Sequence, residues 1–517
     1  MATVAILAGL KRWSALPVRI ADEQSAATVA TRSSFAASIA AFVAGHGGQS
    51  GFRLLVDAQD AYAARILLAR RAERTLDLQY YIWKRDRSGI MLLKEVHDAA
   101  ARGVQVRLLL DDHGTSGLDR DLAALAQHPG ISIRLFNPFV WRAAKLAGFA
   151  FHFERLNRRM HNKSFIADDA AAIVGGRNIG DEYFGVADVG MLADIDLLAV
   201  GPVAADIVDS FNAYWQSPLA LPVEQLVRSS AAASAAGLKQ EVERTYDEPQ
   251  SVAYRDAIDR LDIVRQGEQR TLAMEWAKAR LVVDDPVKSQ GTASRDQLLA
   301  TRLFEALGAP TRELRLVSAY FVPGKPLVDE FVRLVRSGVA VSILTNGAQS
   351  TDVGMVFAYY SKYRLALVDA GVRLFELRRA EQDRKPKRKL VRKTVQALGK
   401  SSGSAASGAS SLHAKTFTVD GERLFVGSFN VDPRSIETNT ELGVVIDSPV
   451  LAGAINDMLD VRLPASTLEV RQSTSGKLEW IDRSSGTERT LTTEPGITLP
   501  FRLAIRLLEH LPFERLM

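Results

Sequence analysis

The stretch "RRMHNKSFIADDAAAIVGGRNIGDEYFG" at residues 158–185 meets a near-copy in "SSLHAKTFTVDGERLFVGSFNVDPRS" at residues 410–435. Each holds His-x-Lys-x-x-x-x-Asp, then a short apolar run and a Gly-Gly or Gly-Ser that ends in Asn. Side chains two apart in a strand share a face, so His161 projects with Lys163 and His413 with Lys415. Asp168 and Asp420 have the opposite parity and fall where the strand turns, and Asp-Gly at 420 is a hairpin signal. The returning strands "AAIVGGRN" and "RLFVGSFN" bring Asn178 and Asn430 back toward the histidine end, where glycine permits a close approach to backbone. One such motif is weak, and its bland reading is a strand with a surface lysine. Two copies in matching surroundings are not coincidence.

Those surroundings repeat in order. "LDLQYYIW" from Leu76 reads as a buried strand, "SGIMLLKEVHDAAARG" as an amphipathic helix and "VQVRLLLDD" as the next strand. "LRLVSAYFVPG" from Leu314, "KPLVDEFVRLVRSG" and "VAVSILTNG" follow the same plan, and "GISIRLFNPF" matches "GVRLFELR" before each motif. His161 and His413 stand 252 positions apart, too far for a solenoid repeat, so the chain reads as a duplicated α/β domain. Strands alternating with helices imply mixed, largely parallel sheets flanked by helices. The expected divisions are an N-terminal segment 1–50, a first lobe 51–222, a helical connector 223–300, a second lobe 301–465 and a C-terminal extension 466–517. The second lobe carries a basic, then Gly/Ser-rich loop at 378–411.

Composition narrows the chemistry. A chain of 517 residues, 47% hydrophobic, can bury several cores. It has no cysteine, which removes disulfides, thiolate metal sites and cysteine nucleophiles. A formal charge of +5 and a pI near 9.2 favour an anionic partner. No uncharged apolar run approaches the ~18 residues of a membrane span. The N-terminal "MATVAILAGLKRWSALPVRI" lacks the basic start and small-residue cleavage site of a secretory leader, although a processed leader fits its short apolar run.

The doubled motif with "GGRN" and "GSFN" resembles the phospholipase D superfamily. "LDLQYYIW", "RLNRRMHNKSF", "VGGRNIGDEYFG", "DIDLLAVGP", "SLHAKTF" and "VGSFNVDPRS" are similar to the bacterial cardiolipin synthases, most of all the C-type branch. The resemblance implies two duplicated phospholipase D-like lobes related by a pseudo-twofold, with one active site at their interface. It implies His161 as nucleophile, His413 as general acid and base, and Lys163, Lys415, Asn178, Asn430 and Ser428 around the phosphate. Asp194 and Glu441 fall where the family's histidine-orienting acids lie, with Asp196 as a competitor. Asp168 and Asp420 belong to the same catalytic motif, but their place at the turn suits hairpin support better than proton transfer.

Elementary chemistry agrees with that set. A phosphodiester resists attack because its free oxygens are anionic, so lysines and amides must hold the charge that develops. One imidazole attacks phosphorus to give a phosphohistidine, and the other protonates the leaving alkoxide and deprotonates the acceptor. No metal and no cofactor are required. The expected activity is phosphatidyl transfer from phosphatidylethanolamine or phosphatidylglycerol to phosphatidylglycerol. The alternatives are a phospholipase D that uses water and a phosphodiesterase acting on nucleic acid.

The basic run "RKPKRKLVRK" from Arg384 suits an anionic bilayer or a phosphate backbone alike. The C-terminal "LPFRLAIRLLEHLPFERLM" has the wide apolar sector of an interfacial helix and favours the membrane over nucleic acid. A peripheral place on a bacterial inner membrane follows, with room for an accessory protein. His46, His97, His128 and His510 sit in ordinary contexts, and His113 reads as a turn residue at a strand end. Tyr80, Tyr81 and Trp83 read as core, or as the border of an acyl channel.

Overall fold

A computed structural model of the chain describes residues 16–19, 33–186, 191–227, 231–269, 271–378, 411–497, 502 and 505. The basic run from Arg384, the N-terminal apolar stretch and nearly all of the C-terminal amphipathic segment lie outside the described residues. Two sheets share one plan. The first runs, neighbour to neighbour, Ser50–Leu55, Asp196–Val200, Ala171–Gly175, Ser164–Ala167, Thr75–Ile82, Gln105–Gly114, Ile131–Phe136 and Ala220–Pro222. The second runs Glu275–Val283, Leu442–Asp447, Arg423–Gly427, Lys415–Val419, Glu313–Ser318, Ala340–Asn346, Arg373–Leu377 and Thr467–Gln472. Order and direction match over these eight strands, which is the duplication in three dimensions, and the second sheet continues beyond Thr467–Gln472 with Leu478–Asp482 and Arg489–Leu491.

The expectation of largely parallel sheets is corrected. Within each sheet only Gln105–Gly114 in the first lobe and Ala340–Asn346 in the second pair in parallel with both neighbours, and every other pairing is antiparallel. The physical reason is connectivity. Helices such as Arg87–Ala101 and Gly324–Arg336 provide the long crossovers that parallel pairs need, whereas the motif strands return through tight turns.

Two boundaries also differ. Glu275–Val283, expected inside the connector, pairs along its length with Leu442–Asp447 in the second sheet. Its sequence, "EWAKARLVV", carries charge on a half-exposed face, so its composition mimics a helix. Thr467–Gln472, expected in the C-terminal extension, pairs with Arg373–Leu377. The connector itself is Ala231–Asp247, Pro249–Asp259 and Asp262–Glu268, and its Tyr254, Ile258 and Ile263 pack on the first lobe.

Edge meets edge where Gly51 pairs with Trp276 and Phe52 with Glu275, so the two sheets run on into one. A Cβ at Gly51 would lie 3.0 Å from the Trp276 indole, which explains the glycine there. Three apolar cores result. One covers the outer face of each lobe, and the third lies between them. In this middle core Val174, Leu197 and Phe211 meet Leu442, Val444 and Ile455. Each such side chain contributes roughly 1.5–3 kcal/mol on burial, so the lobes are fused by hydrophobic contact as well as by hydrogen bonds.

The motif aspartates anchor this scaffold. Asp168, Asp169 and Asp420 adopt left-handed φ of 51°, 57° and 58°, a region that aspartate tolerates better than most side chains. The Asp168 carboxylate accepts the backbone N–H of Glu73, Arg74 and Thr75 at 2.7–3.0 Å for its best oxygen in each case. Asp420 does the same for Thr311, Arg312 and Glu313 at 2.7–3.0 Å. Each aspartate thereby ties the motif hairpin to the start of the neighbouring strand, at the opposite end of its own strand from the histidine. Their expected place in the catalytic set is corrected to this structural one.

Candidate active site

The strand ends that carry the histidines do not stop at their own lobe. Met160 bridges in parallel to Thr440, and the His161 N–H donates to the Thr440 carbonyl at 2.8 Å. Ser411–Leu412 pairs in parallel with Leu192–Ala193, and the His413 N–H donates to the Ala193 carbonyl at 2.8 Å. Each histidine therefore comes to lie beside the residue that follows its partner segment, and that residue is an acid from the other lobe. Nδ1 of His161 is 2.8 Å from Oε2 of Glu441, and Nδ1 of His413 is 2.6 Å from Oδ2 of Asp194. A carboxylate on Nδ1 fixes the ring and leaves Nε2 to face a substrate.

Of the two candidate acids in "LADIDLLAVG", Asp194 takes this role. Asp196 is occupied by Arg65 at 2.8 Å and Arg177 at 3.5 Å. Gly176 explains how Asp194 fits: a Cβ there would sit 2.1 Å from Asp194 Oδ1. The equivalent residue in the second lobe is Ser428, and it has room because Glu441 reaches differently. The Ser428 hydroxyl donates to Glu441 Oε2 and accepts the Leu442 N–H at 3.0 Å. Ser428 is thus corrected from a phosphate ligand to a support for Glu441. Ser435 adds a second hydroxyl at 2.9 Å to Oε1.

Lys163 and Lys415 are almost wholly buried, and each ammonium donates to the carbonyl of its own motif histidine. Nζ of Lys415 also lies 3.1 Å from Nδ1 of His413. Asn178 accepts the Ile82 N–H at 3.1 Å and donates to the Tyr183 hydroxyl at 3.0 Å. Asn430 accepts the Tyr320 N–H at 3.3 Å, and its amide nitrogen has no protein partner among the described residues. Both histidines are only 8% exposed, so little of either ring is open to solvent.

The field is strongly positive and it is unequal. Burial, then Lys163, Lys415 and His413, hold His161 well below the usual imidazole value. His413 is lowered as well, by burial and Lys415, but Asp194 pulls against the shift. Burial opposes the charge on Asp194, yet His413, Lys415 and Arg177 overcome it and hold the carboxyl at about 2. Glu441 goes the other way: burial raises it, against Lys163 and the Ser428 and Ser435 hydroxyls. Burial likewise lowers both lysines.

Several participants were not legible as such in the sequence. The Tyr81 ring stands edge-on to His161 at 4.9 Å and Tyr183 edge-on to His413 at 5.3 Å. Tyr183 lies inside the quoted motif, but an aromatic there reads as packing. Asp284 accepts the Glu441 N–H at 2.9 Å and is itself paired with buried Lys288 at 2.9 Å. Of the remaining histidines, His46 stacks on Trp276, His97 meets His128, and His113 lies against Phe139. His510 is outside the described residues. Tyr80 and Trp83 are core, as expected. Among the described residues no cluster of three or more His, Asp or Glu is arranged as a metal site.

Known proteins carry the same framework. The family model of the cardiolipin synthase, PLD-like domain, matches residues 66–215 and 303–461, one match for each motif. Cardiolipin synthase C of Escherichia coli (strain K12) is 41% identical over 472 residues, covering 91% of this chain and 97% of that protein. A cardiolipin synthase of Clostridium perfringens (strain SM101 / Type A) is 24% identical over 406 residues, 78% of this chain and 68% of its own. The crystal structure of phosphatidylserine synthase from Haemophilus influenzae Rd KW20 superposes with a TM-score of 0.53 at 13% identity, over 84% of this chain and 92% of that one. At that identity the likeness is one of fold. The duplicated sheets, the paired His-x-Lys strands within both matched segments and the 41% identity over nearly the full length have one meaning: the chain belongs to the cardiolipin synthase family of phospholipase D-like proteins.

Proposed function

We propose that the chain is a cardiolipin synthase-like phosphatidyltransferase that works through a phosphohistidine on His161. Nε2 of His161 attacks phosphorus of a donor phospholipid, and the bond to the headgroup oxygen breaks. His413 delivers its Nε2 proton to that oxygen, so ethanolamine leaves from phosphatidylethanolamine or glycerol from phosphatidylglycerol. A hydroxyl of phosphatidylglycerol then gives its proton back to His413 as its oxygen attacks phosphorus. The phosphorus–nitrogen bond to His161 breaks and cardiolipin is released. Lys163 and Lys415 neutralise the non-bridging oxygens, with an amide hydrogen from Asn178 and one from Asn430.

The observation that carries the reading is the crossed pairing of each motif histidine with an acid of the other lobe, Nδ1 of His161 2.8 Å from Glu441 and Nδ1 of His413 2.6 Å from Asp194, which leaves both Nε2 atoms for one phosphate. Burial and the lysines lower both imidazoles, and Asp194 works against that shift at His413, which supports His413 as the proton donor and His161 as the nucleophile. Phospholipid substrates follow from the family. No helix among the described residues is long and apolar enough to cross a membrane, and we place the enzyme peripherally on the bacterial inner membrane.

The test is to incubate the pure protein with phosphatidylglycerol, with and without phosphatidylethanolamine, and weigh the lipid products by mass spectrometry. Cardiolipin is the expected product. Its absence, together with cleavage of single-stranded DNA, would overturn the proposal.

A further inference from the structure

The charge around the two histidines is not symmetric, and one acid on the His413 side has no task in the transfer chemistry. Strand Ala340–Asn346 ends against the second motif, where the Asn346 side-chain amide donates to the Leu412 carbonyl at 2.8 Å. The turn that follows is fastened by the Thr351 N–H to the Gly347 carbonyl at 3.0 Å and by the Ser350 hydroxyl to the Leu377 carbonyl at 2.9 Å. It presents Asp352 to solvent, and the Tyr320 hydroxyl donates to the Asp352 carboxylate at 2.9 Å. The Tyr320 N–H is held by Asn430, so the length of one tyrosine side chain separates the amide proposed to hold phosphate from this carboxylate. In the first lobe Ile82 stands in the same place, its N–H on Asn178, and it offers no hydroxyl.

Asp352 belongs to the field of the site. At Lys415, Asp194, Glu441 and Asp352 work against the lowering by burial. Burial, then Asp352, push the Tyr320 phenol well above its usual value; burial and Glu182 do the same to Tyr183, and Asp352 adds to it. Tyr183 stands edge-on to His413, so this is the side of the proton donor. Glu182 is paired with Lys84, whereas Asp352 forms no ion pair among the described residues. On the His161 side the added charge is Arg434, which joins burial and the lysines in lowering that imidazole. A carboxylate in a site built for phosphate weakens the lysines that hold the phosphate, so it stabilises nothing unless a cation stands opposite.

In the first half of the transfer, the group that lies against His413 is the leaving alcohol. We propose that Asp352, steadied by Tyr320, is the specificity-determining residue for that headgroup and binds the primary ammonium of ethanolamine. The inference rests on the phosphatidyl transfer proposed above, and it decides between the two donors left open there. A glycerol headgroup brings no charge to balance the carboxylate, a choline headgroup brings no N–H for it to accept, and a serine headgroup brings a second carboxylate against it.

Two measurements on the full chain test this. The first is binding of a monomeric short-chain phosphatidylethanolamine by titration calorimetry, beside the same lipid N-acetylated, which keeps the phosphoethanol arm and loses its charge. The parent should prefer the free amine about tenfold. Asp352→Asn should remove the preference, Asp352→Glu should restore most of it, and Tyr320→Phe, which leaves the carboxylate without its donor, should reduce it in part. The second is donor choice during turnover on mixed vesicles of phosphatidylethanolamine and phosphatidylglycerol, read by mass spectrometry as ethanolamine or glycerol released. Asp352→Asn should shift that ratio about tenfold toward glycerol. A parent that does not distinguish the free from the acetylated amine, or an asparagine variant that loses both donors equally, overturns the proposal. If the parent prefers the free amine through Asp352 but forms no cardiolipin, the headgroup subsite stands and the transfer reading falls. If cardiolipin forms and the donor preference is independent of Asp352, the transfer reading stands and the subsite falls.

Discussion

Glu441→Gln separates function from stability at one atom. Oε2 of Glu441 receives both His161 Nδ1 and the Ser428 hydroxyl, and Oε1 receives Ser435 at 2.9 Å. A glutamine keeps its amide oxygen toward His161 by turning its nitrogen to Ser435, whose hydroxyl can accept. What disappears is the charge. A hydrogen bond to a charged group is worth about 1.5–3 kcal/mol against roughly 0.5–1.5 for a neutral one, so about 1–1.5 kcal/mol of support for the imidazole is lost. That is a rate loss of about tenfold. Glu441→Ala strips the acceptor from His161 and from two hydroxyls at once, and a loss of roughly a hundredfold or more follows. Stability moves the other way for glutamine, because a buried carboxylate of similar shape is replaced by a neutral amide. The folded state raises this carboxyl above its ordinary 4.5, so its stabilisation is present at low pH and disappears as pH rises through the folded value. The melting temperature of the Gln variant should therefore gain on the parent as pH rises. Cardiolipin formation and thermal melts across pH 4–8 measure both effects. Full activity in the Gln variant, or a loss of activity that merely tracks a loss of stability, refutes the reasoning.

The other expectations are shorter. His161→Ala and His413→Ala should each abolish turnover, and a trapped phosphatidyl adduct should map to His161 by peptide mass; an adduct found only on His413 reverses the roles. Asp420→Ala should leave three backbone amides without an acceptor and lower stability by roughly 2–3 kcal/mol in chemical denaturation, while activity per folded molecule is kept. Gly176→Ala should displace Asp194 and cut turnover at least tenfold, and because the added methyl meets a buried carboxylate the melting temperature should fall as well, with activity per folded molecule as the readout. Both histidines are held below their ordinary 6.5, so the unfolded chain takes up protons first as pH falls; stability is fully present above about 6.5 and declines below it. Replacing both with alanine should flatten the melting curve between pH 6.5 and 4.

The sequence exposes most of the site and little of its wiring. His161, Lys163, His413 and Lys415 are legible because a period-two strand places them without any tertiary knowledge. The pairing of His161 with Glu441 is not, since it arises from two segments meeting across the lobe boundary, and no local spacing encodes that. Ser428 is placed at the phosphate by the family resemblance alone, but its hydroxyl donates to Glu441 at the start of the neighbouring antiparallel strand. The sequence overstates the parallel character of the sheets because its helices are conspicuous and its antiparallel returns are short. Glu275–Val283 hides in the connector because its charged face imitates a helix while it closes the seam between the two sheets.

The crossed carboxylates carry one more implication. Since each histidine takes its acid from the other half, a lone lobe could rebuild this site only by associating with a second copy about a twofold axis. In such a pair the two imidazoles would be identical, and nothing fixed in the protein could make one the attacking base and the other the proton donor. Joining the halves in one chain lifts that degeneracy. One side could keep Asp194 against a glycine and the other adopt Glu441 beneath two serine hydroxyls, so in the proposed mechanism the division of labour can be written into covalent structure rather than chosen at each turnover.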